Sequence, residues 1–217
     1  MLLLLQAEPD ALSLLDILLK GGWTMLAIGL LSLATVFLFV ERLLALRRAQ
    51  ADPYTLTSTV AEYVEAGDVR GAIGYCKSRA TPISRILSYG LERLGRPISE
   101  IQESVQAAGR REIYRLEGRI DLLASVAAVA PMLGFLGTVL GLIEAFQQIQ
   151  ALEGQVNPSV LASGIWEALV TTAAGLVVGI VALLAYNWLQ GRLAALMHDL
   201  EGAASDFVDL LQAPATV

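Results

Sequence analysis

Glu167 is the residue with the most chemistry to offer. It stands directly before an uncharged run of 22 residues, Ala168 to Leu189, and two hydroxyls, Thr171 and Thr172, follow within five positions. A carboxylate at membrane depth costs a few kcal/mol unless it faces protein or water, so it is a functional candidate by default. The plainer alternative is an interfacial carboxylate solvated by lipid headgroups. Thr138, in an earlier apolar run, and Thr172 admit two readings: a bond to their own backbone carbonyl four residues back, or the lining of a polar path. Glu144 closes that earlier run and fits the interface. His198 and Cys76 are single residues of their types, with no cluster for zinc and no intramolecular disulfide to make. An enzyme, a cofactor and a metal are therefore not expected.

The elements that must position these side chains follow from composition. Of 217 residues, 55% are hydrophobic and 17% charged, with a mean hydropathy of +0.60. An ordinary soluble domain is about one quarter charged, which excludes a conventional globular enzyme. Disorder is excluded because so much apolar surface does not stay solvated. The net charge of −6 argues against nucleic-acid binding. An all-α membrane protein remains. Three uncharged runs, Gly21 to Val40, Leu122 to Ile143 and Ala168 to Leu189, are each long enough as helices for a hydrocarbon core of about 30 Å. Of the 15 Lys and Arg, 13 fall between Arg42 and Arg119. The positive-inside rule then places that loop and the C-terminus in the cytoplasm and the N-terminus outside.

The expected organisation is an outside amphipathic segment over 1–20, a first span over 21–41 and a cytoplasmic helical region over 42–119. A second span over 120–150, an outside loop over 151–157, a third span over 158–190 and a cytoplasmic helix and tail over 191–217 follow. Met1–Leu5 lacks the basic region and apolar length of a signal peptide. Short helices are expected over Thr55–Glu65, Asp68–Arg79 and Ile83–Leu94, stopped by Gly67, Thr81-Pro82, and Gly95 with Pro97. Ser99 with Gln102 reads as a capping box. From there apolar residues at a 3-4 spacing predict one unbroken helix to about Gln150. Asn157-Pro158 caps a third long helix that runs to about Leu211.

The spans differ in texture. The first is rich in Leu and Phe, as a lipid-facing helix would be. The second aligns Ala127, Ala130, Pro131, Gly134, Gly137, Thr138, Gly141 and Ala145 on one face, and the third aligns Ala168, Thr172, Gly175, Gly179 and Ala182. Small residues at such spacing let membrane helices approach closely, so these stripes predict helix packing.

The stretch Leu122–Gly141, with Pro131, Gly134, Gly137 and Thr138, resembles the second membrane helix of the MotA/TolQ/ExbB proton-channel family. Glu167 through Gly175, followed by Tyr186-Asn187, resembles its third. Glu41-Arg42 and the Gly67-Asp68, Ala72, Cys76 stretch look like the ExbB/TolQ branch. The resemblance covers nearly the whole chain. It implies a bacterial inner-membrane pentamer ringed around a dimer of a single-span ExbD/TolR-type partner, which brings the aspartate that loads and unloads protons. It further implies a TonB-like or TolA-like protein as receiver of the work. On the same basis Thr138 and Thr172 match pore threonines and Glu167 a pore-facing glutamate. Thr171 departs from relatives that often carry alanine, and leaves proton and sodium both open. The rival reading is a non-conducting scaffold that assembles through its small-residue stripes.

Overall fold

The computed structural model describes residues 22–50, 53–151 and 158–212. The expected amphipathic segment over 1–20, the Asn157 cap and most of the 151–157 loop lie outside the described residues. Seven helices occur among them: α1 Gly22–Ala49, α2 Pro53–Glu65, α3 Val69–Arg79, α4 Pro82–Leu91, α5 Ile98–Glu117, α6 Ile120–Ala151 and α7 Pro158–Gln212. Three stretches are long and apolar enough to cross a membrane: α1, the α5–α6 stretch and α7. Helix α7 alone has 55 residues, about 80 Å of rise and more than twice a hydrocarbon core.

Two expectations about α5 are corrected. The helix begins at Ile98 behind Pro97, which makes no side-chain cap, so Ser99 lies inside the first turn instead of capping it. Pro97 adopts extended backbone (φ −52°, ψ 139°) and its carbonyl accepts from the Glu100 amide; a side-chain cap is not needed to start the turn. The unbroken helix from Ser99 to Gln150 is also interrupted, by a two-residue turn at Gly118–Arg119. There Arg42 donates to the Leu116 carbonyl, an acceptor that the next helical turn would otherwise use. Glu41 pairs with both Arg42 and Arg119, so the turn is tied by charge to α1, about two turns before that helix ends.

The chain forms two compact units, one of residues up to Phe37 with Leu122–Ala185, the other of Leu38–Asp121 with Tyr186 onward. In the first, α6 and α7 touch backbone to backbone. A β-carbon on Gly175 would lie 2.5 Å from the Ala130 carbonyl oxygen and 2.9 Å from the Gly134 Cα. Gly179 lies against the ring of Pro131 and the Ala127 carbonyl, the acceptor whose helical donor a proline lacks. Gly134 and Gly141 face the α7 backbone at Thr171 and Gly164. The predicted stripes thus meet each other. The first span is not wholly lipid-facing: Thr24, Met25, Ile28 and Thr35 are buried, and Leu31 packs on Val126, Ala130 and Ala182. Its opposite face, with Leu26, Leu30, Leu33 and Phe37, is exposed.

The second unit is built around α4, which buries eight of its ten residues. Thr81 and Ser84 form a reciprocal capping box at its start. The helix ends at Leu91, three residues before the expected Leu94, and turns occupy the rest. Gly90 lets Val105 of α5 and Phe207 of α7 close over α4. Leu189, Leu193, Leu196, Leu200, Ala203 and Phe207 bury one stripe of α7 at helical spacing. Glu112, 3% exposed, is held by Arg85 of α4 and Arg115 of its own helix. A buried carboxylate without such partners would be strongly destabilising.

Cys76 of α3 is buried, and burial pushes its thiol up to about 11. The thiolate is the reactive form, so alkylation by iodoacetamide at pH 8 should run about a hundredfold slower than that of an ordinary cysteine. Rapid labelling of folded protein would contradict this packing.

Candidate functional site: hydroxyls between two membrane helices

Thr138 of α6 and Thr172 of α7 meet side chain to side chain, their hydroxyls in direct hydrogen-bond contact. Neither follows the simple i−4 pattern alone. The Thr172 hydroxyl donates across the interface to the Gly134 carbonyl at 3.0 Å. Thr138 has two carbonyl acceptors in reach, Gly134 of its own helix at 3.3 Å and Ala168 of the opposite helix at 3.2 Å. This geometry follows from the glycines, because only a close backbone approach lets a short threonine side chain reach the other helix's carbonyl.

The arrangement has a chemical consequence. Each hydroxyl has one proton to donate, and the pair faces two outer carbonyls. Thr172 can donate to Gly134 while Thr138 donates to Thr172; alternatively Thr172 donates to Thr138 while Thr138 donates to Ala168. The two hydroxyls can therefore reverse their common hydrogen-bond direction without breaking the helix contact. Both residues are half-buried, and each hydroxyl oxygen keeps acceptor capacity beyond the one bond that its own proton makes.

Thr171 stands elsewhere. It is 1% exposed, donates to the Ala168 carbonyl at 2.8 Å, and lies over Gly137. A β-carbon on Gly137 would come within 2.5 Å of the Thr171 hydroxyl and 3.1 Å of the Thr24 hydroxyl. The hydroxyls of Thr24 and Thr171 therefore converge on one glycine, beneath α1. Glu167, one turn before Thr171 on α7, also points to α1: its Oε1 is 3.2 Å from where a Gly22 β-carbon would be. Gly22 has a φ of +61°, so both backbone and carboxylate favour glycine there. Glu167 is half-buried and shares a cleft of about 260 Å³ with Glu144, Gln148 and Ser163.

The four polar residues singled out in the sequence thus divide. Thr138 and Thr172 form one pair between α6 and α7, while Glu167 and Thr171 share the side of α7 that meets α1. The packing residues Gly134, Gly137, Gly141, Gly175, Gly179 and Pro131 all lie in the contacts described. Thr24 was missed by sequence reasoning. Its signal in the sequence was slight: with Ser32 and Thr35 it is one of three hydroxyl residues in a span dominated by apolar side chains. Among the described residues, no group of His, Cys, Asp and Glu is placed to hold a metal.

Three membrane-crossing stretches with a polar hydroxyl contact between two of them define a multi-pass membrane protein with a candidate ion path. Residues 78–202 match the MotA/TolQ/ExbB proton channel family, and the chain belongs to that family. It is 36% identical over 185 residues to the ExbB-like 1 protein of Synechocystis sp., covering 81% of this chain and 70% of that one. It is 37% identical over 118 residues to the Tol-Pal system protein TolQ of Haemophilus influenzae, 54% of this chain and 51% of that one. With the biopolymer transport protein ExbB of Neisseria gonorrhoeae it shares 40% identity over 109 residues, 50% of this chain and 47% of that one. The chain thus spans about half the length of the TolQ and ExbB relatives it matches.

Proposed function

We propose that the chain is the ring-forming subunit of a proton-driven inner-membrane motor. Five copies surround a dimer of a single-span ExbD/TolR-type partner and convert proton motive force into work on the envelope, delivered through a TonB-like or TolA-like protein. The N-terminus is outside and the C-terminus cytoplasmic. The spans occupy 21–41, 120–150 and 158–190, and the chain itself carries out no enzymatic reaction. The observation that carries this reading is the Thr138–Thr172 pair. Two hydroxyls that can reverse their hydrogen-bond direction in place suit the hydration and orientation of a partner carboxylate. They are poorly explained by packing alone, for which alanine would serve.

The physical cycle is one of charge and burial. Protonation neutralises the partner's carboxylate and lowers its cost inside an apolar ring; deprotonation restores the cost. One charge crossing about 100 mV releases about 2.3 kcal/mol, enough to bias a relative displacement but not to dismantle a large interface. In the non-conducting scaffold reading, the hydroxyls only help the helices adhere.

Thr138→Ala and Thr172→Ala separate the two. Co-expressed with the partner, each variant should still give pentamers by native mass spectrometry, while partner-dependent proton flux falls about tenfold or more, toward the range of about 10²–10⁴-fold that a group transferring the proton itself contributes. Full flux in both variants would favour the scaffold. A stable dimer or trimer as the sole wild-type species would exclude the ring.

A further inference from the structure

The second unit carries two clefts of opposite charge, and their positions can be followed helix by helix. Helix α5 has a cleft of about 440 Å³ on one flank, edged by Tyr89, Arg93, Arg96 and Arg111. Its other flank shares a different cleft with α7. Helix α7 in turn has, on its far flank, a cleft of about 600 Å³ shared with α2 and edged by His198, Asp199 and Asp206. The basic and acidic clefts therefore lie on the outer sides of the α5–α7 pair.

Their charges are not spent within the unit. Among the described residues, Arg93, Arg111, Asp199 and Asp206 join none of the ion pairs. In the basic cleft Arg96 engages Glu100, and Glu103 is the other acid there, so three arginines face two glutamates. The acidic cleft has two aspartates and no Lys or Arg. The shapes also correspond. Tyr89 is 42% exposed at the basic edge, whereas the acidic cleft is floored by Ala61, Gly202, Ala203 and Leu210, small and apolar groups that leave room for an aromatic ring. Exposed aromatic and arginine side chains are the types enriched where proteins dock.

We propose that the basic cleft of one copy docks on the acidic cleft of the next copy, with Tyr89 seated between α2 and α7 and Arg93 and Arg111 facing Asp199 and Asp206. The occupant of the acidic cleft is thus a second copy of this chain. The two surfaces differ, so each copy uses both, and the contact is head-to-tail. Such a contact does not stop at a two-fold dimer, and it closes into a ring when its rotation divides the full turn. Because the two clefts lie on opposite flanks, a two-fold pairing through either one would set that cleft against itself and bring like charges together. The proposal deepens the ring reading and rests on it.

The test uses the full chain in native membranes, in a Cys76→Ser background. Arg111→Cys and Asp206→Cys combined in one chain, treated with a short thiol-to-thiol crosslinker, should give a ladder of multimers ending at the closed ring, and each single variant should give none. In parallel, Arg93→Glu with Arg111→Glu should lower the ring fraction in native mass spectra about tenfold, through like-charge repulsion against the aspartates. Adding Asp199→Arg and Asp206→Arg to that chain should restore it. An intact ring with no ladder and no effect of charge reversal would overturn the docking and leave the ring reading standing. Crosslinking of Arg111→Cys to itself as a dimer, or a wild-type chain that gives no species beyond a dimer, would overturn the docking together with the ring.

Discussion

Gly175→Leu should take apart the α6–α7 packing and leave little folded protein. The β-carbon alone would sit 2.5 Å from the Ala130 carbonyl oxygen and 2.9 Å from the Gly134 Cα. Both are backbone atoms of a regular helix, so no side-chain rotation relieves the clash. The helices must separate, and the damage extends along the stripe, to Gly179 on Pro131, Gly134 on Thr171 and Gly141 on Ala168. Overpacking of a close-packed interior costs about 1–3 kcal/mol, and occasionally more. A backbone-to-backbone crossing belongs at the upper end. Separation would also pull Thr138 out of reach of the Ala168 carbonyl, so the proposed ion flux should vanish even in protein that survives. Gly191→Leu is the matched control, because nothing lies within 4 Å of a β-carbon there. Thermal unfolding in detergent, followed by size-exclusion chromatography, should show Gly191→Leu near wild type and Gly175→Leu aggregated or melting many degrees lower. A Gly175→Leu protein as stable as its control would mean that the two helices do not pack as described.

The second large effect is expected at Glu167. Glu167→Gln keeps the size and shape of the side chain, exchanges one carboxylate oxygen for an amide donor, and removes the titratable proton. Its stability cost should be small, because a carboxylate beside the first turn of a helix, here α1 at Gly22, is worth about 0.3–1 kcal/mol. Its functional cost should be large if the cleft shared with Glu144, Gln148 and Ser163 is where protons enter: coupled activity should fall about tenfold or more at unchanged membrane level and unchanged oligomer. Glu167→Lys should be worse, since it places a cation against the positive end of α1. An activity assay of both variants at matched abundance decides the matter. Normal activity of both would return Glu167 to the lipid–water interface.

Much of the architecture was legible in the chain, for local reasons. Hydropathy runs and helical length located the three membrane-crossing stretches. The 3-4 spacing of Gly and Ala marked which faces of α6 and α7 would adhere, since only small residues admit such an approach. Gly67, Thr81-Pro82 and Gly95 with Pro97 marked the breaks between the short helices, while the capping of α3 by Asp68 and of α4 by Thr81 was not foreseen. Where such punctuation misled, a neighbour intervened. Arg42, 74 residues away in sequence, occupies the Leu116 carbonyl at the α5–α6 turn, and no periodicity within 99–150 foretells that.

The sequence by itself determined that the protein is helical and membrane-crossing, and that a close small-residue contact joins its second and third spans. Each of these properties depends on one helix and its solvent, or on residue size. Only the tertiary structure decided what each hydroxyl touches. Thr171 and Thr172 are adjacent in sequence, yet one is buried over Gly137 beside Thr24 and the other bonds Gly134 next to Thr138. The reason is rotational. Neighbouring residues on a helix point about 100° apart, and which of them meets which partner depends on how each helix is turned about its axis. The backbone contact of Gly175 with Ala130 and Gly134 fixes that turn, and it exists only when both helices are in place.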